Sequence, residues 1–383
     1  MSPDPPQPAT TLWPITIAAL VFVALLIVGR MLIVGRILNV GSSWRTNVVA
    51  TVGDDSHVNG RLAVSGDLLV GTTLSGYVSS NVLWVYDITD PASPQRVGAA
   101  DVGAEVQAEG LSTYPIDLAV EGTTASVIVA TGQGPLDKWD DWSMKLIDLD
   151  DPAQPKTVGS LAFDTGTRVY AMDAQRGFVY VRTVREDVDG ALIIIDARDP
   201  ARPVQVANLP LAGQGDFDIE EDTLWIDTVH GLTAVDVSDP VHPHVLSTTP
   251  RPPDCRGRNP GASDVRVTGT WVLISSWDLC VLDGTDPAAP RLVHRFEPSD
   301  TATSLTDLVA VGGRAYATFL EAAEAGTPGV TVYDLAGPGG PHVYARAGGL
   351  RPWPIAAKGD YVYTSGWLDS DHSNHELIVL EVK

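Results

Sequence analysis

The chain has 383 residues, 44% of them hydrophobic and 19% charged, and carries a formal net charge of −23. That acidity excludes nucleic acid and anionic membrane surfaces as partners, because a phosphate-binding face needs clustered Lys and Arg. The 36 glycines and 28 prolines punctuate the chain into many short strands joined by tight turns rather than into long helices.

In chain order, residues 1–11 read as a disordered tail, 12–40 as a transmembrane helix with its juxtamembrane segment, and 41–383 as the folded body. From Ala9 to Gly29 no side chain is charged, and LWPITIAALVFVALLIVG is long enough to cross a hydrocarbon core of about 30 Å as a helix. Trp13 suits the interface, and Pro14 stands in the first turn, where a missing N–H costs little. No Lys or Arg precedes the run and no small-residue cleavage pattern follows it, which points to a retained signal-anchor. Arg30, Arg36 and Arg45 all follow the span, and the positive-inside rule would leave the body in the cytoplasm. Cys255 and Cys280 pull the other way if they form one disulfide in an oxidising compartment; two buried thiols are the alternative. The body is expected outside the cytoplasm, at the cell surface, with the cytoplasmic orientation as the rival.

After the span, one pattern recurs: LWVYDITDPASPQRVG, MKLIDLDDPAQPKTVG, LIIIDARDPARPVQVA, LTAVDVSDPVHPHVLS and LCVLDGTDPAAPRLVH. Four strand residues lead to Asp, two residues, Asp-Pro, two residues and Pro. A sixth copy, VTVYDLAGPGGPHVYA, has Gly337 in place of the second Asp. The leading residues Asp87, Asp148, Asp196, Asp236, Asp283, Asp334 and finally Glu381 stand 40 to 61 residues apart, the length of a four-stranded propeller blade. Asp accepts a bond from a backbone N–H two residues on and Pro fixes φ, so each Asp-Pro starts a turn. Two earlier strands precede each such strand, as in IDLAVEG and SVIVATG. The last unit, ending HELIVLEVK, lacks a fourth strand, and WRTNVVATVG has the composition of one without a unit of its own. The expected fold is therefore all-β: a seven-bladed β-propeller of four-stranded blades, its ring closed by an N-terminal strand and preceded by one transmembrane helix.

The segments LWVYDITDPASP and LIIIDARDPARP resemble the LVIVD repeat, found in bacterial and archaeal proteins that are mostly exported or surface-attached. The resemblance covers nearly everything after residue 44, departing at YDLAGPGGP. It implies a propeller and a surface location, and brings no shared catalytic residues.

Insertions gather on the face opposite the Asp-Pro turns, where binding loops are expected. Asp117, Asp216, Asp264 and Asp307 open inner strands and are read as a ring of carboxylates at the channel mouth, suited to a cation or an amine. The loop DSDHSNHE offers Asp369, Asp371, His372 and His375 as ligands for a divalent cation. Trp139, Trp142, Trp277 and Trp367 lie beside acidic residues on the same loops, as in sites for sugars or cationic peptide side chains. No phosphate loop, nucleophile elbow or His-Glu-x-x-His pattern occurs. A membrane-anchored, non-catalytic binding or scaffolding propeller for a protein, peptide or glycan follows. The alternative is a propeller enzyme, a metal-dependent hydrolase or an oxidoreductase, with its site on the insertion-rich face.

Overall fold

Asp87 accepts hydrogen bonds from the N–H and the hydroxyl of Thr89 at 2.7 and 2.6 Å, and Asp90 accepts from the N–H of Ala92 at 3.1 Å. These two Asx turns end one strand and begin the next. The same pair recurs at Asp148 and Asp151, Asp196 and Asp199, Asp236 and Asp239, and Asp283 and Asp286. In the sixth copy Asp334 keeps its bond to Ala336, and the turn closes through Gly340 N–H to the Gly337 carbonyl at 2.9 Å. The altered motif therefore still makes its turn.

The computed structural model describes residues 46–52, 60–73, 82–103, 112–132, 141–185, 188–212, 215–228, 230–253, 255, 264–275, 278–296, 305–319, 329–348, 351–367 and 375–383. The expected transmembrane segment lies outside them. Among the described residues no helix is long and apolar enough to cross a membrane.

These residues form seven antiparallel four-stranded sheets. Six are built in chain order, blade two for example from Ser112–Glu121, Thr124–Gly132, Asp141–Asp148 and Lys156–Ala162. Blade seven takes Arg351–Lys358, Tyr361–Trp367 and His375–Val382 from the C-terminus and its fourth strand, Thr46–Val52, from the N-terminal side. Asn47 pairs with Glu381 and Val52 with Leu377. The donated strand has the same irregularity as the other six fourth strands. Register slips between Val48 and Ala50 against Leu380 and Val379, as it slips between Arg96 and Gly98 against Tyr86 and Val85. Each bulge leaves one residue unpaired and bends the outer strand around its blade.

The first strands of the blades are Leu62–Ser65, Ser112–Glu121, Thr167–Gln175, Phe217–Glu220, Asp264–Thr268, Leu305–Val311 and Arg351–Lys358. Each touches the first strand of the next, and the seventh touches the first, so the ring is continuous. The core is divided in the same way into seven apolar clusters, one per blade interface. Leu62, Leu69, Tyr86 and Ile88 of blade one meet Ala356, Tyr363, Leu377 and Val379 of blade seven, all buried. Because both faces of a blade are covered, the middle strands read as unbroken apolar runs. Tyr363 also donates its hydroxyl to the Pro91 carbonyl at 3.0 Å across this junction.

At the outer bulges of blades one and two the next blade approaches so closely that a side chain is excluded. A Cβ on Gly98 would stand 2.0 Å from the Pro152 carbonyl oxygen of the next blade, and one on Gly159 would stand 1.9 Å from that of Pro200. In the first hairpin of every blade, one residue is left-handed: Gly66, Gly122, Arg176, Glu221, Gly269, Gly312 and Gly359, all with φ between 53° and 60°. Glycine meets that demand without strain. Arg176 and Glu221 do not.

Candidate functional site

Counted back from that left-handed residue, the inner strands form two columns of charge. Arg61, Asp117, Asp216, Asp264 and Asp307 stand five positions before it, and Asp173, Asp218 and Arg266 three before it. Around the axis they line a cavity of about 160 Å³ that also receives Tyr170, Met172 and Ile355. Five carboxylates, of Asp117, Asp173, Asp216, Asp218 and Asp307, share its wall with the two guanidiniums. Asp264 belongs to the first column and to the same electrostatic group, since Asp216 raises its pKa and Arg266 lowers it.

The inner strand of a blade is a sheet edge, and its outward N–H groups need acceptors from elsewhere. The carboxylates supply them from the preceding blade. Asp117 accepts from its neighbour Leu118 at 3.0 Å with one oxygen and from Met172 of blade three at 2.8 Å with the other. Asp307 does the same with Leu308 at 3.0 Å and Ile355 of blade seven at 3.1 Å. Asp218 accepts from Ile219 at 2.9 Å and from Val267 of blade five at 2.7 Å. Arg266 of blade five reaches both neighbours, donating to Asp216 of blade four at 2.6 Å and to the Leu308 carbonyl of blade six at 2.8 Å. Asp173 of blade three stands close enough to Asp218 of blade four for the two charges to repel. Lys358 of blade seven returns to Asp67 of blade one at 2.6 Å. Hydrogen bonds to charged groups contribute more than neutral ones, and here they couple blades two to three, four to five, five to six and six to seven at the axis.

Crowding so many carboxylates away from water shifts their titration. Burial raises Asp117, which the adjacent Arg61 only partly offsets. Burial, then repulsion from Asp218, lifts Asp173 well above the carboxylate range. Burial lifts Asp218 to about 6 against the pull of Arg266, and lifts Asp264 to about 7 with help from Asp216. Burial works against the charge on Arg266, yet Asp216, Asp218, Asp264 and Asp307 hold its pKa well above normal. Asp173 and Asp218, on adjacent blades, thus hold their protons more tightly than an ordinary carboxyl does.

The four expected carboxylates thus fall into one column around the axis, and Asp117 and Asp307 have both oxygens committed to backbone N–H groups. Asp173, Asp218, Arg61 and Arg266 are additional. Arg61 and Arg266 stand at fixed offsets from glycine turns, whereas Asp173 and Asp218 precede turns with Arg176 and Glu221 in the glycine's place, which hides them in the sequence. Trp142 is elsewhere: its ring, 8% exposed, packs with Met144, Val169 and Val181 in the core between blades two and three. That burial withdraws it from the loop surface expected of it. Trp139, Trp277, Asp369, Asp371 and His372 lie outside the described residues, as do the side chains of Trp367 and His375. Among the described residues no group of three His, Cys, Asp or Glu is placed to hold a metal ion. Cys255, on the segment entering blade five, is disulfide-bonded to Cys280 of that blade's third strand, in the apolar cluster between blades four and five.

Residues 224–248 and 261–297, which include the fourth and fifth Asp-Pro turns, match the family model of the LVIVD repeat. No curated protein matches the chain in sequence. Among solved structures, the periplasmic gluconolactonase PpgL of Pseudomonas aeruginosa superposes with a TM-score of 0.53 at 12% identity, covering 82% of this chain and 95% of that one. A protein from Lactobacillus plantarum gives 0.53 at 10% identity, over 83% and 96% of the two chains. A functionally unknown protein from Desulfotomaculum acetoxidans gives 0.51 at 10%, over 80% and 99%. At these identities the likeness is one of fold. With the repeat matched over these two segments and seven four-stranded blades in one ring, the chain is a seven-bladed β-propeller that carries LVIVD repeats.

Proposed function

We propose that this chain is a single-span membrane protein whose propeller faces outside the cytoplasm and acts as a non-catalytic binding module, taking the cationic group of a small ligand into the axial cavity. The observation that carries it is the lining of that cavity, five aspartates against two guanidiniums around one axis. In a partly dehydrated site such an excess attracts a cation far more strongly than it would in water, and pockets with a few convergent polar groups are where propellers and other rigid scaffolds bind. The uncharged run from Ala9 to Gly29 supports the anchor. The Cys255–Cys280 bond supports an oxidising compartment, against the arginines that follow the span.

Calorimetric titration of the full-length chain in detergent with ethylamine and with calcium chloride, at pH 8 and pH 5, tests the binding function. Saturable uptake of either at pH 8, weakened at pH 5, is expected; no uptake at either pH overturns it. C-terminal reporter fusions test the orientation, and reporter activity on the cytoplasmic side overturns that part. Turnover of a gluconolactone, the substrate class named for the Pseudomonas propeller, would replace the binding function with an enzymatic one.

A further inference from the structure

The two guanidiniums in the cavity are not in the same situation. Arg266 is committed: its Nη1 donates to Asp216 and to the Val265 carbonyl, both at 2.6 Å, and its Nε donates to the Leu308 carbonyl at 2.8 Å. Arg61 meets one carboxylate, with its Nε 3.3 Å from Asp117 Oδ1, and both oxygens of Asp117 already accept backbone N–H groups. Among the described residues nothing accepts a hydrogen bond from the Nη atoms of Arg61, and its side chain is 35% exposed where Arg266 is 22% exposed. A guanidinium carries five N–H donors in a planar fork that matches a carboxylate. On blade one, then, the cavity holds a cation with donors to spare. On blades three and four it holds Asp216 and Asp218 against the single charge of Arg266, beside Asp173, whose carboxyl burial holds towards its neutral form.

Resting on the cation-binding function proposed above, we infer that the ligand is a small zwitterion, its carboxylate held by Arg61 and its ammonium group by the carboxylates of blades three and four. A cation alone would leave the Arg61 fork unmet and add repulsion to it. An anion alone would meet the surplus carboxylates. A molecule carrying both charges satisfies both walls, and Tyr170, which lines the cavity with its side chain exposed, offers a ring face beside the ammonium group.

The test is calorimetric titration of the full-length chain in detergent at pH 8 with glycine, β-alanine and γ-aminobutyrate, against ethylamine, propionate and calcium chloride. At least one of the three zwitterions is expected to bind at least ten-fold more tightly than ethylamine. Arg61→Gln is expected to weaken that zwitterion ten-fold or more and to strengthen ethylamine, since a repelling charge is gone; Arg61→Lys, which keeps the charge without the fork, is expected to fall between. If ethylamine or calcium binds as tightly as every zwitterion, the zwitterion inference fails while cation binding stands. If no probe binds, both fail. The wild-type comparison decides the matter even if a variant does not fold.

Discussion

Asp117 of blade two accepts the backbone N–H of Met172 of blade three at 2.8 Å, and this one contact shows how the ring is held at its axis. Replacing Asp117 by Ala leaves a buried donor without its acceptor, at about 1–3 kcal/mol. Asp117→Asn keeps an oxygen for that donor and removes a charge that burial disfavours, so it is expected to cost less. Asp307, bound to Ile355 across the next-but-last interface, should show the same order. Chemical denaturation of the four variants checks it.

The left-handed hairpin residues offer a test of opposite sign. Glu221, with φ at 53°, stands where five blades have glycine. Glu221→Gly is expected to relieve backbone strain of about 1 kcal/mol, and Gly122→Ala to introduce a similar amount. Urea midpoints moving up for the first variant and down for the second would bear this out.

At the blade junctions, Gly98→Ala and Gly159→Ala push a methyl group into a carbonyl oxygen of the next blade. Overpacking of this kind costs about 1–3 kcal/mol. Blade three already has Ala207 at the corresponding bulge, so Ala207→Gly is expected to change stability far less. Melting temperatures compared across the three variants separate the positions.

Stability should have a maximum in mild acid. Asp173, Asp218 and Asp264 have folded pKa values raised above the ordinary value by burial, so the folded state binds their protons more tightly than the unfolded chain. Their contribution is complete below about pH 4 and is lost as pH rises through 6 to 7. In contrast, the turn carboxylates Asp87, Asp148, Asp196, Asp236 and Asp283 are held down by hydrogen bonds from the residue two positions on, for Asp196 chiefly from the Arg198 guanidinium, and their contribution disappears as pH falls below about 4. A melting temperature that falls from pH 5 to pH 8, with a slope reduced in Asp218→Asn, is the expected outcome. A flat profile over that range would contradict the raised carboxyl pKa values.

Deleting residues 46–52 exposes the edge of His375–Val382 and removes Val48 and Val49 from the clusters on either side of blade seven. Loss of a single cooperative transition in calorimetry is expected. Opening the Cys255–Cys280 bond, which closes a loop across 25 positions, should cost about 2–4 kcal/mol, measurable as the difference between melts with and without a phosphine reductant.

Much of this molecule was legible one residue at a time. Asp-Pro-x-x-Pro is a local instruction: the Asx bond and the fixed proline φ act within four residues, so the turns could be placed, counted and spaced into seven blades before any fold was known. The unfinished last unit and the orphan strand Thr46–Val52 then fixed ring closure, because an unpaired edge has a definite cost and only one segment fits it. The register slip shared by all seven outer strands carries no such local signal. It arises from the bend each strand makes around its neighbours.

The axial site belongs to the other category. Arg61 and Arg266 stand 205 positions apart in the sequence, and neither is marked by a neighbour. Their columns exist only once seven inner strands are set side by side around an axis. Which carboxylates serve backbone donors, which repel one another, and which arginine keeps donors in reserve are all consequences of distances across blades. Trp142 went into the core for the same reason: its strand is covered on both faces. Local chemistry determined the turns and the number of blades, because those interactions close within a few residues. Only the assembled ring decided which charges meet in the cavity and how deeply they are buried, because Coulomb energy and desolvation depend on separations in space that the order of residues does not contain.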